Sequence, residues 1–213
     1  MRASRFLIGM ATAGFTQLPA VAQAQETSGL GSERPLVVSL EHVGGVVATR
    51  SKAEGADEAT TIVSAGTFLG SFLGMLPMAR LGVHYFVAPP VSVGALLSYS
   101  DNDAFGETVL FGARVGAAFP LGASTDLWLR GGVHYFRSEV SLLGKTTLSD
   151  VRPGGEALFA FTAAENFGFL LGGMFEIGVA GKQETESRIP GQTSERDFDY
   201  MEYGLTCGAF VNF

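Results

Sequence analysis

The residues able to act as nucleophiles, general bases or metal ligands are few and scattered. Three histidines (His42, His84, His134) and one cysteine (Cys207) stand in 213 residues. Covalent catalysis needs a nucleophile within hydrogen-bond reach of a base that a third group orients. No motif of that kind occurs, and neither does metal-ligand spacing, a phosphate loop or a cofactor signature. An enzyme acting on lipid would need such a site on an outward surface. His42 has outward parity in the reading below, but no serine and acid accompany it. The chain therefore reads as a non-enzyme without cofactor or metal. The pentapeptide GVHYF occurs at 82 to 86 and again at 132 to 136, with an arginine two residues before each copy (Arg80, Arg130). The copies fall on strands that run in opposite directions, which puts His84 and His134 at different depths. Shared strand grammar accounts for the repeat better than a paired-histidine site.

The residues that matter are instead charges buried inside apolar alternation. In DYMEYGLTCGAFVNF, 199 to 213, Tyr203, Leu205, Cys207, Ala209, Val211 and Phe213 share one face. Glu202, Gly204, Thr206, Gly208, Phe210 and Asn212 share the other. Cys207 is a small hydrophobe there, with no second cysteine to pair with. The same period of two runs through 36 to 48, 78 to 88, 91 to 100, 107 to 119, 126 to 139, 156 to 164 and 167 to 181. These are eight strands in all. Their few charges, Glu41, Arg80, Arg114, Arg130, Glu156, Glu176 and Glu202, share parity with glycines and small residues, while the opposite face is Val, Leu, Phe, Tyr and Ala. A water-facing exterior would carry many Lys and Glu; this one suits hydrocarbon. Tyr85, Tyr99, Tyr135 and Tyr203, near strand ends, fit interfacial girdles. The seven charges are then a lumen network.

Connections at 89 to 90, 120 to 125 and 165 to 166 are short, and those at 49 to 77, 101 to 106, 140 to 154 and 182 to 198 are longer. Short turns at one end and longer loops at the other describe a closed eight-stranded antiparallel up-and-down transmembrane β-barrel with both termini on the periplasmic side. Within the first long connection, 61 to 77 is apolar and open to three readings: a strand extension, a surface helix or a fold over the mouth. It is the candidate gate or partner contact.

At the amino end, Arg2 and Arg5 precede an uncharged stretch and then Ala22-Gln23-Ala24, a cleavable signal peptide over 1 to 24. Residues 25 to 34 are polar and glycine-containing, a flexible periplasmic leader, and 35 to 213 form the barrel domain. Loss of the signal leaves 12 basic against 21 acidic residues, a net charge of −9 that excludes nucleic acid as a partner. With 29 glycines and 17 phenylalanines the composition suits a narrow, tightly curved sheet.

RLGVHYFVAPPVSVGALLSY, GARVGAAFPLGASTDLWLRGGVHYF and the terminal GLTCGAFVNF together resemble the small outer-membrane β-barrel domain proteins common in myxobacteria. The resemblance implies an outer-membrane location, lipid as surroundings, and recognition of the terminal aromatic, Phe213, by the barrel-assembly machinery. Two functions follow. The barrel is a structural or surface-interaction protein presenting loops to an extracellular partner over a filled lumen, or it is a narrow channel for ions or small solutes wherever water fills the gaps left by Gly82, Gly112, Gly116, Gly132, Gly172 and Gly208.

Overall fold

The computed structural model describes residues 29–55, 57–64, 79–102, 106–141, 145–186 and 193–213. Among these described residues ten strands occur in chain order: β1 (Leu36–Ala53), β2 (Ala59–Ser64), β3 (Arg80–Ala88), β4 (Val91–Asn102), β5 (Gly106–Gly122), β6 (Thr125–Val140), β7 (Lys145–Ala164), β8 (Phe167–Ile177), β9 (Gly181–Glu186) and β10 (Thr193–Asn212). Eight of them close a ring in the order β1, β3, β4, β5, β6, β7, β8, β10, and β10 pairs back on β1 from Val37↔Asn212 to Ala53↔Phe198. The remaining two add no column. β2 pairs with the upper half of β1 (Val46↔Ser64 to Ser51↔Ala59), above the stretch where β3 pairs with its lower half (Leu36↔Tyr85 to Glu41↔Arg80). β2 and β3 thus form one column, and β9 likewise continues β8 between β7 and β10. The barrel is eight-stranded, antiparallel and up-and-down, closed by the β10–β1 pairing, with β2 laddered to β1 alone among the described residues.

The strands run further than their apolar alternation. The connections read at 140 to 154 and 182 to 198 are largely β-hairpin arms: β7 starts at Lys145, and β9 and β10 pair from Glu186↔Thr193 to Gly181↔Phe198. Both faces of such arms meet water, so the apolar period vanishes while the hydrogen-bond ladder persists. Charges there pair locally. Lys182 Nζ lies 3.0 Å from Asp197 and from Glu195, and these bonds hold its ammonium above the ordinary lysine range. Pro153, inside β7, is accommodated because the neighbouring column is interrupted between Ile177 and Gly181, where no ladder partner needs its missing N–H. Of the apolar stretch 61 to 77, residues 61–64 belong to β2, and the rest lies outside the described residues.

The two faces divide as hydrocarbon and packed interior. Phe111, Val115, Leu129, Val133, Phe159, Phe169, Leu171, Phe175 and Leu205 point outward and are exposed. Tyr99, Tyr135 and Tyr203 ring the long-loop end, and Tyr85 lies toward the tight turns. Inside, at the turn end, Val37, Phe86, Ala118, Trp128, Leu158, Ala160, Leu170 and Phe210 form an apolar base. Leu30 joins that base at 6% exposure. Residues 29–34 therefore cross the barrel mouth, where composition alone suggested a flexible leader. Leu30 N–H donates to Asp126 Oδ2 at 3.2 Å, Arg34 pairs with Glu165, and Gly31 (φ 78°) lies flat on the Phe86 ring, where a Cβ would come within 2.2 Å. Burial of one apolar side chain anchors a segment that is otherwise polar. Residues 1–28, which hold the signal-peptide reading, lie outside the described residues.

Leu171, 51% exposed at mid-strand, tests the lipid assignment. Leu171→Arg should cost about 2 to 4 kcal/mol in urea unfolding from lipid vesicles, the range for a cation at the bilayer midplane. A neutral result would mean that this face does not meet hydrocarbon.

Candidate functional site

Strand β6 serves as a ruler through the interior, since its inward side chains rise in the order Asp126, Trp128, Arg130, Gly132, His134, Phe136 and Ser138. Above the apolar base lies a charged layer. Arg130 sits with its guanidinium 4.5 Å over the Trp128 ring. Its Nη1 donates to Glu41 Oε1 at 2.5 Å and its Nη2 donates to Glu156. Arg114, from β5, donates to the same two carboxylates, to Glu41 Oε2 at 2.5 Å and to Glu156 Oε1 at 3.3 Å. Two guanidiniums and two carboxylates thus form a ring of charge-assisted hydrogen bonds with shared partners. In the ring order of strands, β1 lies across the lumen from β6, so the Glu41–Arg130 contact spans the interior.

Three inward glycines make room for these long side chains. A Cβ on Gly82 would lie 2.5 Å from Glu41 Oε1, one on Gly132 2.8 Å from Arg114 Cγ, and one on Gly154 2.6 Å from Glu176 Cγ. The space that remains beside Arg114, Arg130, Glu156 and Glu176 is about 10 Å³, at the lower limit for a single water.

A second cluster lies next to the first. Arg80, on β3, donates bidentately to Glu176 on β8, with Nη2 to Oε2 at 3.2 Å, and its Nη2 is 3.8 Å from Glu202 Oε1. His134 Nδ1 lies 3.3 Å from Glu176 Oε1, and its Nε2 accepts from Arg114 Nε at 3.4 Å, which joins the two clusters. Higher still, Arg152 is sandwiched between Phe136 and Tyr200, 3.7 Å from each ring centre, with Asp150 at 3.3 Å from its Nε. Tyr200 donates its hydroxyl to Glu202.

All seven sequence-derived lumen charges, Glu41, Arg80, Arg114, Arg130, Glu156, Glu176 and Glu202, are buried in the interior and fall into these two clusters. Phe213 lies at the seam instead: its N–H donates to Leu36 O at 2.8 Å, its O accepts from Leu36 N at 3.3 Å, and its ring is exposed. His42 corrects the sequence reading. Between Leu40↔Ala209 and Gly44↔Cys207, three residues of β1 oppose one of β10, and in this bulge His42 takes a left-handed φ of 56°. The bulge turns Glu41 and His42 inward together, and His42 Nε2 meets Glu156 Oε1 at 3.0 Å. His42 is thus part of the lumen network and absent from the lipid face. Arg152 and Asp150 were missed because Pro153 and two glycines masked the strand; stepping by two from Glu156 would have reached both.

Chemistry beyond charge pairing finds little support among the described residues. Glu41, His42 and Glu156 converge as three metal-type ligands, but Arg114 and Arg130 already occupy both carboxylates. His84 is fully buried, with its ring edge against Trp128 at 4.7 Å between centres and Ser92 Oγ 3.5 Å from Nδ1. That serine–histidine pair is fully buried against the base.

No protein-family model matches the chain, and no curated protein matches it. Among solved structures, Neisserial surface protein A superposes with a TM-score of 0.52 at 11% identity, covering 84% of this chain and 97% of that one. The outer membrane protein OprG of Pseudomonas aeruginosa (TM-score 0.46, 12% identity, 84% and 97% covered) and the N-terminal β-barrel domain of OprF from the same organism (0.45, 11%, 83% and 97%) are more distant. The architecture is thus that of bacterial outer-membrane eight-stranded β-barrels.

Removing one partner of a buried ion pair typically costs about 3 to 5 kcal/mol, against about 0 to 1 kcal/mol for an exposed pair. Arg114→Ala should therefore destabilise the barrel several-fold more in kcal/mol than Arg137→Ala, whose guanidinium pairs with Glu139 at the rim. Equal, small losses in denaturant unfolding would mean that water reaches the lumen charges.

Proposed function

We propose that this protein is an integral outer-membrane β-barrel whose role is structural or surface-interacting, with the hairpins at its long-loop end as the working surface. One observation carries the reading: the ion pairs of the lumen join strands across the barrel, with Glu41 meeting Arg130 and Arg80 meeting Glu176. An interior braced in this way, with only about 10 Å³ left beside the charged layer, favours a filled lumen over a path for a solute. Its filled base, capped by Leu30, supports the same conclusion from the other end. The apolar exterior and the Neisserial likeness support an outer-membrane location. The signal-like amino end and the terminal Phe213 fit export and delivery to the assembly machinery, and the myxobacterial-type resemblance fits the same picture. What remains free for a macromolecular partner outside the cell is the set of arms formed by β1–β2, β6–β7 and β9–β10. Catalysis is not part of this proposed role, since the guanidiniums and carboxylates of the charged layer are paired with one another.

Refolded protein in a planar lipid bilayer should give no stable conductance steps across the voltage range in which the bilayer itself holds. Reproducible unitary steps from the unmutated protein would replace this reading with that of a narrow channel.

A further inference from the structure

The segment 29–34 lies across the barrel mouth without joining the sheet. Among the described residues, no backbone hydrogen bond ties it to a strand. The chain is fixed from Pro35 onward, where Pro35 O accepts from Phe86 N–H at 2.7 Å and Leu36 exchanges hydrogen bonds with Phe213. Upstream of that point it folds on itself. Ser32 donates to Gly29 O through its N–H at 3.0 Å and through its hydroxyl at 2.7 Å, which closes a β-turn with Leu30 and Gly31 at its centre. Gly31 has the left-handed φ, 78°, that such a turn asks of its third residue. The segment therefore brings its own shape to the mouth.

The mouth matches that turn with groups from three separate parts of the ring. An apolar socket that includes Phe86 on β3 and Trp128 on β6 receives the Leu30 side chain. Asp126, buried at the start of β6, accepts the Leu30 N–H. The Phe86 ring stands where a Cβ on residue 31 would be, so glycine is admitted there and a larger residue would have to displace the ring. In the turn between β7 and β8, Glu165 accepts from Arg34 through its main-chain O, at 3.2 Å, and through its carboxylate. Beside these contacts a cleft of about 340 Å³ lies between the segment, residues 162–165 and Asn212, whose side-chain oxygen is buried without a hydrogen-bond partner among the described residues. The seat is larger than its occupant, and what holds the occupant is one apolar side chain, one buried hydrogen bond and an ion pair at the surface, the last worth little.

We propose that the turn-end mouth is a peptide-binding site, which residues 29–34 occupy as a ligand in cis. The peptides it takes carry a β-turn with leucine and glycine at its centre and a cation three residues after the glycine, the order of Leu30, Gly31 and Arg34. A periplasmic polypeptide that presents this turn competes with the chain's own segment. Exchange of one for the other costs the barrel no ladder, because the ring closes downstream of Pro35. The internal hydrogen bonds to Gly29 preform the turn and so lower the ordering cost of binding. That the partner is periplasmic rests on the outer-membrane orientation proposed above, whereas the site itself does not depend on it.

Trp128 is the one tryptophan of the chain and lines the socket, so its fluorescence reports the occupant. In refolded Leu30→Asp the segment should leave the mouth. Trp128 emission should then move to longer wavelength, and its quenching by acrylamide should rise several-fold over the unmutated barrel. A synthetic peptide of residues 29–35, blocked at both ends, should reverse both changes. It should bind the variant about tenfold or more tightly than the unmutated protein, whose site is already filled. The same peptide carrying Leu30→Ala or Gly31→Ala should bind about tenfold more weakly, having lost the side chain for the socket or the glycine that the Phe86 ring requires. Equal affinity for the two proteins, or equal affinity of the altered peptides, overturns the proposal, and so does a failure of the peptide to restore the emission of the variant. Should Leu30→Asp fail to fold, hydrogen exchange of the unmutated protein decides. The Leu30 amide should exchange well before the amides of β6 and faster still with the peptide in excess. Exchange of Leu30 only together with β6, unmoved by the peptide, would make the segment a fixed part of the base and overturn the site.

Discussion

A ring of eight strands encloses a space only wide enough for side chains, so whatever points inward must fill it and, if charged, must be matched within it. The rest of the structure follows from that constraint. Arg114 and Arg130 each reach both Glu41 and Glu156, which ties β1, β5, β6 and β7 together through one charged layer. Such long side chains fit a narrow lumen only where the facing residue has no side chain, and Gly82, Gly132 and Gly154 meet that need. Glycine content and lumen charge are therefore two sides of one packing requirement, and the apolar base beneath them closes the turn end.

The division of surfaces has functional weight. The outer face of the membrane-length segments is committed to hydrocarbon, and the interior is committed to itself. The arms beyond the apolar band, among them the β9–β10 hairpin with Lys182 held between Glu195 and Asp197, are both water-exposed and rigidly laddered. A partner would meet a set of twisted hairpins continuous with the barrel wall, so that its contact surface is oriented by the membrane-embedded strands.

Two irregularities mark where local rules give way. The β1 bulge places His42 in a left-handed conformation, a strained choice for a residue with a side chain, and what offsets it is a second inward group on Glu156. Pro153 stands inside a strand because the adjoining column breaks between β8 and β9; the same break lets Asp150 approach where Gly178 has no side chain, 2.0 Å from the position of a Cβ. Each departure sits next to a lumen charge, which links the irregular backbone to the filling of the interior.

Strand parity is a local property with a period of two, and for that reason the amino-acid sequence alone determined the class of fold, the number of columns, the outward apolar face and the inward set from Glu41 to Glu202. It determined them only where one face was apolar. In the hairpin arms, water on both sides erased the signal, and composition read them as loops. Partnership was beyond its reach. Which arginine meets which glutamate depends on the register and stagger that closure imposes, and the inward turn of His42 depends on an unequal count of residues between β1 and β10. The packing of Leu30 into the base depends on Phe86 and Trp128, which come together only once the ring has closed. The meeting of Glu176 and Glu202 at Arg80 is likewise a property of three strands distant in sequence, visible only when β3, β8 and β10 share one lumen.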